Sequence, residues 1–158
     1  MAARIVALTV FPRKDEPGVS LPGMRLVEDL GIEGNRLQGG ERQVALCSVE
    51  TRRWMSEQPE AGLCFARFRE NILLEGLPLE SIQPGDTISA GSAVLRISGF
   101  TKPCFDGCAL HAKGTPCRLS GRALFAVVEE SGWIEEGDSV TRHSGSIAQN
   151  GVEKPDNT

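Results

Sequence analysis

Residues 101–117, TKPCFDGCALHAKGTPC, hold three of the chain's five cysteines and one of its two histidines. Cys104, Cys108, His111 and Cys117 follow the spacing C-x3-C-x2-H-x5-C, which could supply three thiolates and one imidazole to a closed tetrahedral zinc site. Zinc sites more often use two close-spaced ligand pairs, and the last two residues here do not form one. A single reactive thiol therefore competes with the zinc reading. Cys104 is the candidate: it follows Pro103 just past a strand, and Lys102 is two residues away. A nearby cation favours the thiolate, the form that attacks, carries persulfide sulfur or ligates a soft metal. Neither His111 nor His143 has an acid placed to build a Cys–His–Asp relay. Cys47 in QVALCSV and Cys64 in AGLCFARF sit in apolar surroundings and read as packing residues.

A second group is cationic. Arg42 follows Gly-Gly in GGERQ, and FARFREN places Arg67, Arg69 and Asn71 at alternate positions, on one side of an extended segment. Such donors suit a phosphate or carboxylate, because the arginine fork donates two bonds at once; the competing reading is a solvated edge. Arg118 and Arg122, flanking the Cys117 turn, could join the same anion pocket. The rest of the chain supplies no cationic field: with a net charge of −4 and a pI near 5.3 there is no basic stripe for nucleic acid. P-loop, strand-linked GxGxxG, HExxH and GxSxG patterns are all lacking.

These residues must be positioned by strands. ARIVALTV (3–10), QVALCSVE (43–50), RENILLEG (69–76), DTISAG (86–91), AVLRISGF (93–100), RALFAVVEE (122–130) and DSVTRH (138–143) are short apolar or β-branched runs, mostly divided by Pro and Gly. The first has apolar residues on both faces and reads as a buried strand. PRKDEPGVSLPG (12–23) reads as a loop, because its three prolines break both helix and ladder. MRLVEDLGIEGN (24–35) reads as a short strand and a turn. Ser48 is placed to cap a helix ETRRWMSEQ that Pro59 stops, with Trp54 and Met55 as its inward anchors. QPGD (83–86) and EEGD (135–138) are structural turns, Gly taking positive φ and Asp bonding the local backbone.

At 158 residues one domain is expected, mainly β, a single curled sheet or β-barrel with one or two short helices, spanning 1–143, with 144–158 a flexible tail. No apolar run approaches the roughly 20 residues that cross a bilayer. The odd, irregular cysteines point to a reducing cytoplasm, with no membrane and no nucleic acid among the partners.

In order along the chain, GIEGNR (31–36), RQVALCSVE (42–50), FRENI (68–72), QPGDTISAGSAVL (83–95), TKPC (101–104), GTPC (114–117) and GWIEEGD (132–138) resemble the MOSC domain, named for the C-terminal domain of molybdenum cofactor sulfurases, in its small stand-alone bacterial form. The resemblance covers residues 4–142. It implies a barrel-like fold and a role in handling molybdenum cofactor (molybdopterin) or its sulfur. The family's cysteine falls on Cys104, as persulfide carrier or molybdenum ligand, with Cys108 and Cys117 as extra cysteines of the small form. Arg42, Arg69 and Asn71 match polar family positions that could hold the pterin phosphate, with Lys102 and Arg122 beside them. Where relatives commonly show Gly-Asp-Arg-His, this chain has Gly34, Asn35, Arg36 and Leu37.

Pyridoxal phosphate would belong only to a separate partner, a cysteine desulfurase, and a molybdoenzyme could be the sulfur acceptor. Two alternatives stand beside the sulfur carrier: a molybdenum-cofactor-dependent reductase of N-hydroxylated compounds, and a zinc-stabilised binding module without catalysis. Whether the chain is an enzyme, sulfurtransferase-like or oxidoreductase, is left open by the residues.

Overall fold

A computed structural model describes residues 3–13, 16–57, 70–100 and 124–144. The tail from 145, the 58–69 segment with Cys64, Arg67 and Arg69, and the 101–123 segment with Lys102, Cys104, Cys108, His111, Cys117, Arg118 and Arg122 lie outside the described residues.

The elements in order are β1 (Arg4–Val10), β2 (Val19–Leu21), β3 (Gly23–Val27), β4 (Gly31–Ile32), β5 (Val44–Ser48), α1 (Val49–Glu57), β6 (Ile72–Glu75), a 3-10 turn (Leu79–Ser81), β7 (Thr87–Ala90), β8 (Ala93–Phe100), β9 (Leu124–Glu130), β10 (Gly132–Glu135) and β11 (Val140–His143). Eight strands form one sheet in the order β11-β7-β8-β9-β5-β6-β1-β2, and β10-β3-β4 form a smaller one. The mainly β, curled, single-domain expectation is met.

The pair β5 and β6 is parallel and the other ladders are antiparallel. The reason is local: Ser48 ends β5 and caps α1, its Oγ accepting the Thr51 N–H at 3.1 Å, so the chain crosses by helix before it returns as β6. One face of α1 covers β5 and β6, and Trp54 is half-buried there.

The large sheet curls until its ends meet. Ser139, just before β11, bridges Arg4, Val140 N–H donates to Ala3 at 3.0 Å, and Ile5 N–H donates to Asp138 at 2.9 Å. The free edge of β1 is thus shared, its first half by residues 137–140 and its second by β2. Inside lies one apolar cluster drawn from both sheets, including Ile5 and Leu8 of β1, Leu26 and Ile32 of the small sheet, Leu46, Ile72, Leu95, Ile97, Val128 and Ile134. Each fully buried leucine or isoleucine contributes about 1.5–3 kcal/mol.

Three details differ from the sequence reading. The 12–23 stretch contains β2 and the start of β3; two of its three prolines, Pro17 and Pro22, flank β2, and an edge strand tolerates them because one side of its backbone needs no partner. In β1 the two faces do not alternate cleanly. A bulge between Ile5 and Ala7 shifts the register with β6, so Ile5, Leu8 and Val10 all reach the core while Ala7 and Thr9 do not. Finally, GWIE forms β10 on β3 as well as leading into the EEGD turn.

The Gly-Asp turns form as expected, and they are alike. Gly85 and Gly137 have φ of 96° and 90°. The Asp86 carboxylate accepts the Gln83 N–H at 3.0 Å and that of Asp138 accepts the Glu135 N–H at 2.8 Å.

Candidate functional site

One row of residues crosses the sheet. Gly99 of β8 pairs Phe125 of β9, and Phe125 pairs Ala45 of β5. Ala45 is joined to Asn71 at the head of β6 by Asn71 N–H to its carbonyl at 2.8 Å, and Asn71 to Thr9 of β1 by Thr9 N–H to its carbonyl at 2.9 Å. Neighbouring strands are about 4.8 Å apart, so the row spans roughly 20 Å.

Asn71 is buried and its side chain closes this row. Oδ1 accepts the Ala45 N–H at 2.9 Å, while Nδ2 donates to the Thr9 carbonyl at 3.1 Å and to Asn35 Oδ1 at 3.3 Å. Both donors are engaged inside the protein, which leaves neither for the anion expected beside Arg42 and Arg69. Asn71 braces three segments instead. Asn35, also buried, accepts the Phe11 N–H on the same Oδ1 at 2.8 Å. An amide oxygen thus does the accepting, and no charge is buried at this position.

Gln43 is the other brace. Its Nε2 donates to the carbonyls of Asp29 and Gly40, each at 3.1 Å, and its Oε1 accepts the Val128 N–H at 2.9 Å. Ser98 Oγ donates to the Glu41 carbonyl. These bonds hold the 39–42 turn, where Gly39 and Gly40 have φ near +70° (72° and 71°), against β8 and β9. Arg42 is thereby placed with its guanidinium 4.9 Å from the Phe125 ring centroid, a cation–π contact on the outer face of the sheet. Among the described residues Arg42 has no carboxylate partner.

The segments carrying the other candidates depart from this row. Phe100 pairs Leu124, so residues 101–123 leave and re-enter the sheet one residue beyond Gly99 and Phe125. Chain connectivity holds Cys104 within about 14 Å of Phe100, and Arg122 is two residues from Leu124. Arg69 precedes Glu70, whose carboxylate takes a two-bond ion pair from Arg52 of α1, one of them Nε to Oε2 at 3.1 Å. Phe100 and Leu124, which bound the segment of Cys104 and Arg122, thus lie beside the Phe125 that Arg42 covers, and the segment of Arg69 ends at Glu70 and Asn71 two strands away.

Cys47 lies under α1 and is fully buried. Burial foremost, then the Glu70 carboxylate, pushes its thiol from the ordinary 9.0 up to about 12, against the opposing pull of Arg52 and a backbone hydrogen bond at Ser48. It is a packing residue with no thiolate at neutral pH. Among the described residues no group of three His, Cys, Asp or Glu side chains is placed to hold a metal ion.

Asn35 stands out in the sequence only as a departure from the resembled pattern, and Gln43 and Phe125 do not stand out as site residues. Gln43 carried a signal, a polar residue heading an otherwise apolar strand. Phe125 carried a weaker one, the outward parity between Leu124 and Ala126.

The MOSC domain family model matches residues 33–141, more than half of the chain. The chain belongs to the MOSC domain family. Solved structures agree at the level of fold. YuaD from Bacillus subtilis superposes with a TM-score of 0.69 at 20% identity, covering 92% of this chain and 98% of that one. YiiM from Geobacillus stearothermophilus gives 0.60 at 20% identity, with 89% and 74% covered. YiiM from Escherichia coli gives 0.57 at 19%, with 90% and 71% covered. No curated protein sequence matches. No helix of the described MOSC chain is long and apolar enough to cross a membrane.

Proposed function

We propose that this MOSC protein handles molybdenum cofactor through its sulfur, with Cys104 as the working thiol. The observation that carries the proposal is Arg42 held on Phe125 beside Phe100 and Leu124, the described residues that bound the segment bearing Cys104 and Arg122, while the segment bearing Arg69 joins the same row two strands away at Asn71. The family is associated with the cofactor, and the residues suit it. Cys104 offers a soft sulfur donor, and Arg42 offers an exposed cation, without a carboxylate partner among the described residues, for a phosphate.

The carrier step balances simply. The Cys104 thiolate attacks the terminal sulfur of a persulfide on a partner desulfurase; the partner's S–S bond breaks, its cysteine leaves as a thiolate, and Cys104 keeps the sulfur as a new persulfide. Lys102, two residues away in sequence, favours the thiolate. Molybdenum cofactor, when bound, supplies a metal that accepts this sulfur or takes Cys104 as a ligand. Arg42, Arg69 and Arg122 would hold the phosphate, while Asn71 ties Ala45 of β5 to Thr9 of β1 and to Asn35.

Intact mass spectrometry after incubation with a cysteine desulfurase and cysteine tests this. The wild type is expected to gain one sulfur atom that a reductant removes, and Cys104→Ser is expected to gain none. An equal gain on Cys104→Ser overturns the carrier role. Molybdenum and pterin fluorescence retained from a cofactor-producing host, with turnover of N-hydroxylated compounds, would replace it with the reductase reading. One zinc per chain, with collapse of the fold on chelation, would replace it with the zinc module.

A further inference from the structure

Among the described residues nothing requires Gly99 to be a glycine. Every other described glycine either takes a positive φ or would drive a Cβ into a neighbour. Gly99 does neither: its φ lies outside the left-handed region and, among the described residues, an added Cβ meets nothing within 4 Å. It sits within β8, an interior strand of the eight-stranded sheet, where a glycine weakens the ladder through chain entropy and missing side-chain contacts. The register shift between Ile97 and Gly99 places it opposite the outward-facing Phe125, so the gap opens on the outer face of the sheet. Beside that gap stands the Arg42 guanidinium, stacked on Phe125 and without a carboxylate partner among the described residues.

We infer that the Gly99 gap, with Arg42 at its side, admits the flat ring of a pterin-type heterocycle, the bare strand at Gly99 allowing close approach and Arg42 meeting the ligand's negative charge. The inference rests on the cofactor reading above and locates part of that ligand on described residues. Three features agree. A strand without a side chain is a flat floor, which suits a planar ring better than a branched or globular ligand. An arginine already held 4.9 Å from an aromatic ring centroid meets an anion at little further cost in side-chain entropy. The Ser98 bond to the Glu41 carbonyl and the Gln43 bonds to Asp29 and Gly40 fix both sides of the gap before any ligand arrives.

The decisive experiment sets stability against binding in a Gly99→Ala and Gly99→Val series, with a fluorescent pterin and its phosphate ester as probes. Both substitutions are compatible with the backbone, and β-branched valine favours a strand, so Tm is expected to hold or rise. Affinity is expected to fall in the same order, by about tenfold or more for valine, because even a small group in a shaped gap excludes the ring. Arg42→Met should weaken the phosphate ester more than the unphosphorylated pterin. If Gly99→Val binds the probe as the wild type does, the gap is not the ring site, while the cofactor reading stands. If Gly99→Ala and Gly99→Val lose Tm, glycine is a requirement of the fold and the inference fails. If the wild type binds neither probe yet still takes sulfur on Cys104, both the ring site and the cofactor-binding part of the reading are overturned and the carrier role survives.

Discussion

Arg142 and Arg42 are two arginines of the same sheet with opposite fates. Arg142 lies on β11, near the seam where the sheet closes, and donates from Nε and Nη2 to Asp86 Oδ2 at 3.2 and 3.0 Å. The same oxygen accepts the Gln83 N–H, and Gly85 beside it has the positive φ its turn requires. At the seam, charge and glycine are both accounted for within the chain. At the Gly99–Phe125 row the described residues account for neither: Arg42 rests on a ring in place of a carboxylate, and none of them constrains Gly99 to be a glycine. A region whose groups are matched to one another contributes stability. A region that leaves a cation and a gap unmatched is available for a ligand.

The largest expected effect lies beneath the row. Asn71→Ala leaves the Ala45 N–H and the Thr9 carbonyl without their side-chain partners and should cost about 2–4 kcal/mol in urea unfolding. A loss below about 1 kcal/mol would mean that water replaces the amide and that the row is not rigid. Next, Asp86→Ala should lower stability by roughly 2–3 kcal/mol, because it strands the partly buried Arg142 and the Gln83 N–H. Sulfur loading on Cys104 should be unchanged at temperatures where the variant stays folded.

Alkaline pH probes the same region through Cys47. Its thiol is raised from 9.0 to about 12, so the native state favours the neutral form. The stability this contributes is full below pH 9 and is lost as pH rises toward 12. The expected slope is at most about 1.4 kcal/mol per pH unit across that window. The chain has no tyrosine to titrate alongside. Cys47→Ala should flatten the curve relative to the wild type, and an unchanged slope would show that Cys47 is solvated.

The smallest effect on stability is expected at Arg42. Arg42→Ala removes an exposed cation–π contact and should cost less than about 1 kcal/mol in urea unfolding. Its consequence should fall on ligand affinity, as for Arg42→Met above. If Arg42→Ala unfolds the protein, Arg42 belongs with Arg142 as a structural group and the contrast between the two regions disappears.

Much of the fold was legible because its signals are local. The Gly-Asp turns, the Ser48 cap and the strands of the large sheet from β5 onward each follow from a few adjacent residues. The β1 face switch was not legible, since the bulge arises from pairing with β6, some 70 residues away. The candidate site was legible in residue type and not in assignment. Asn71 looks like a ligand donor from its spacing with Arg69. Its actual partners, Ala45 and Thr9, come from 26 and 62 residues away, and no pattern near Asn71 announces them.

By itself the sequence determined the family and the β-rich class and pointed to Cys104 as the thiol proposed for sulfur chemistry, because those are written in local motifs and in the chemistry of single side chains. Only the tertiary structure decided which polar residues are consumed by the scaffold and which are left over. That division depends on long-range pairing, which satisfied Asn71, Gln43 and Arg142 and left Arg42 beside the bare strand at Gly99.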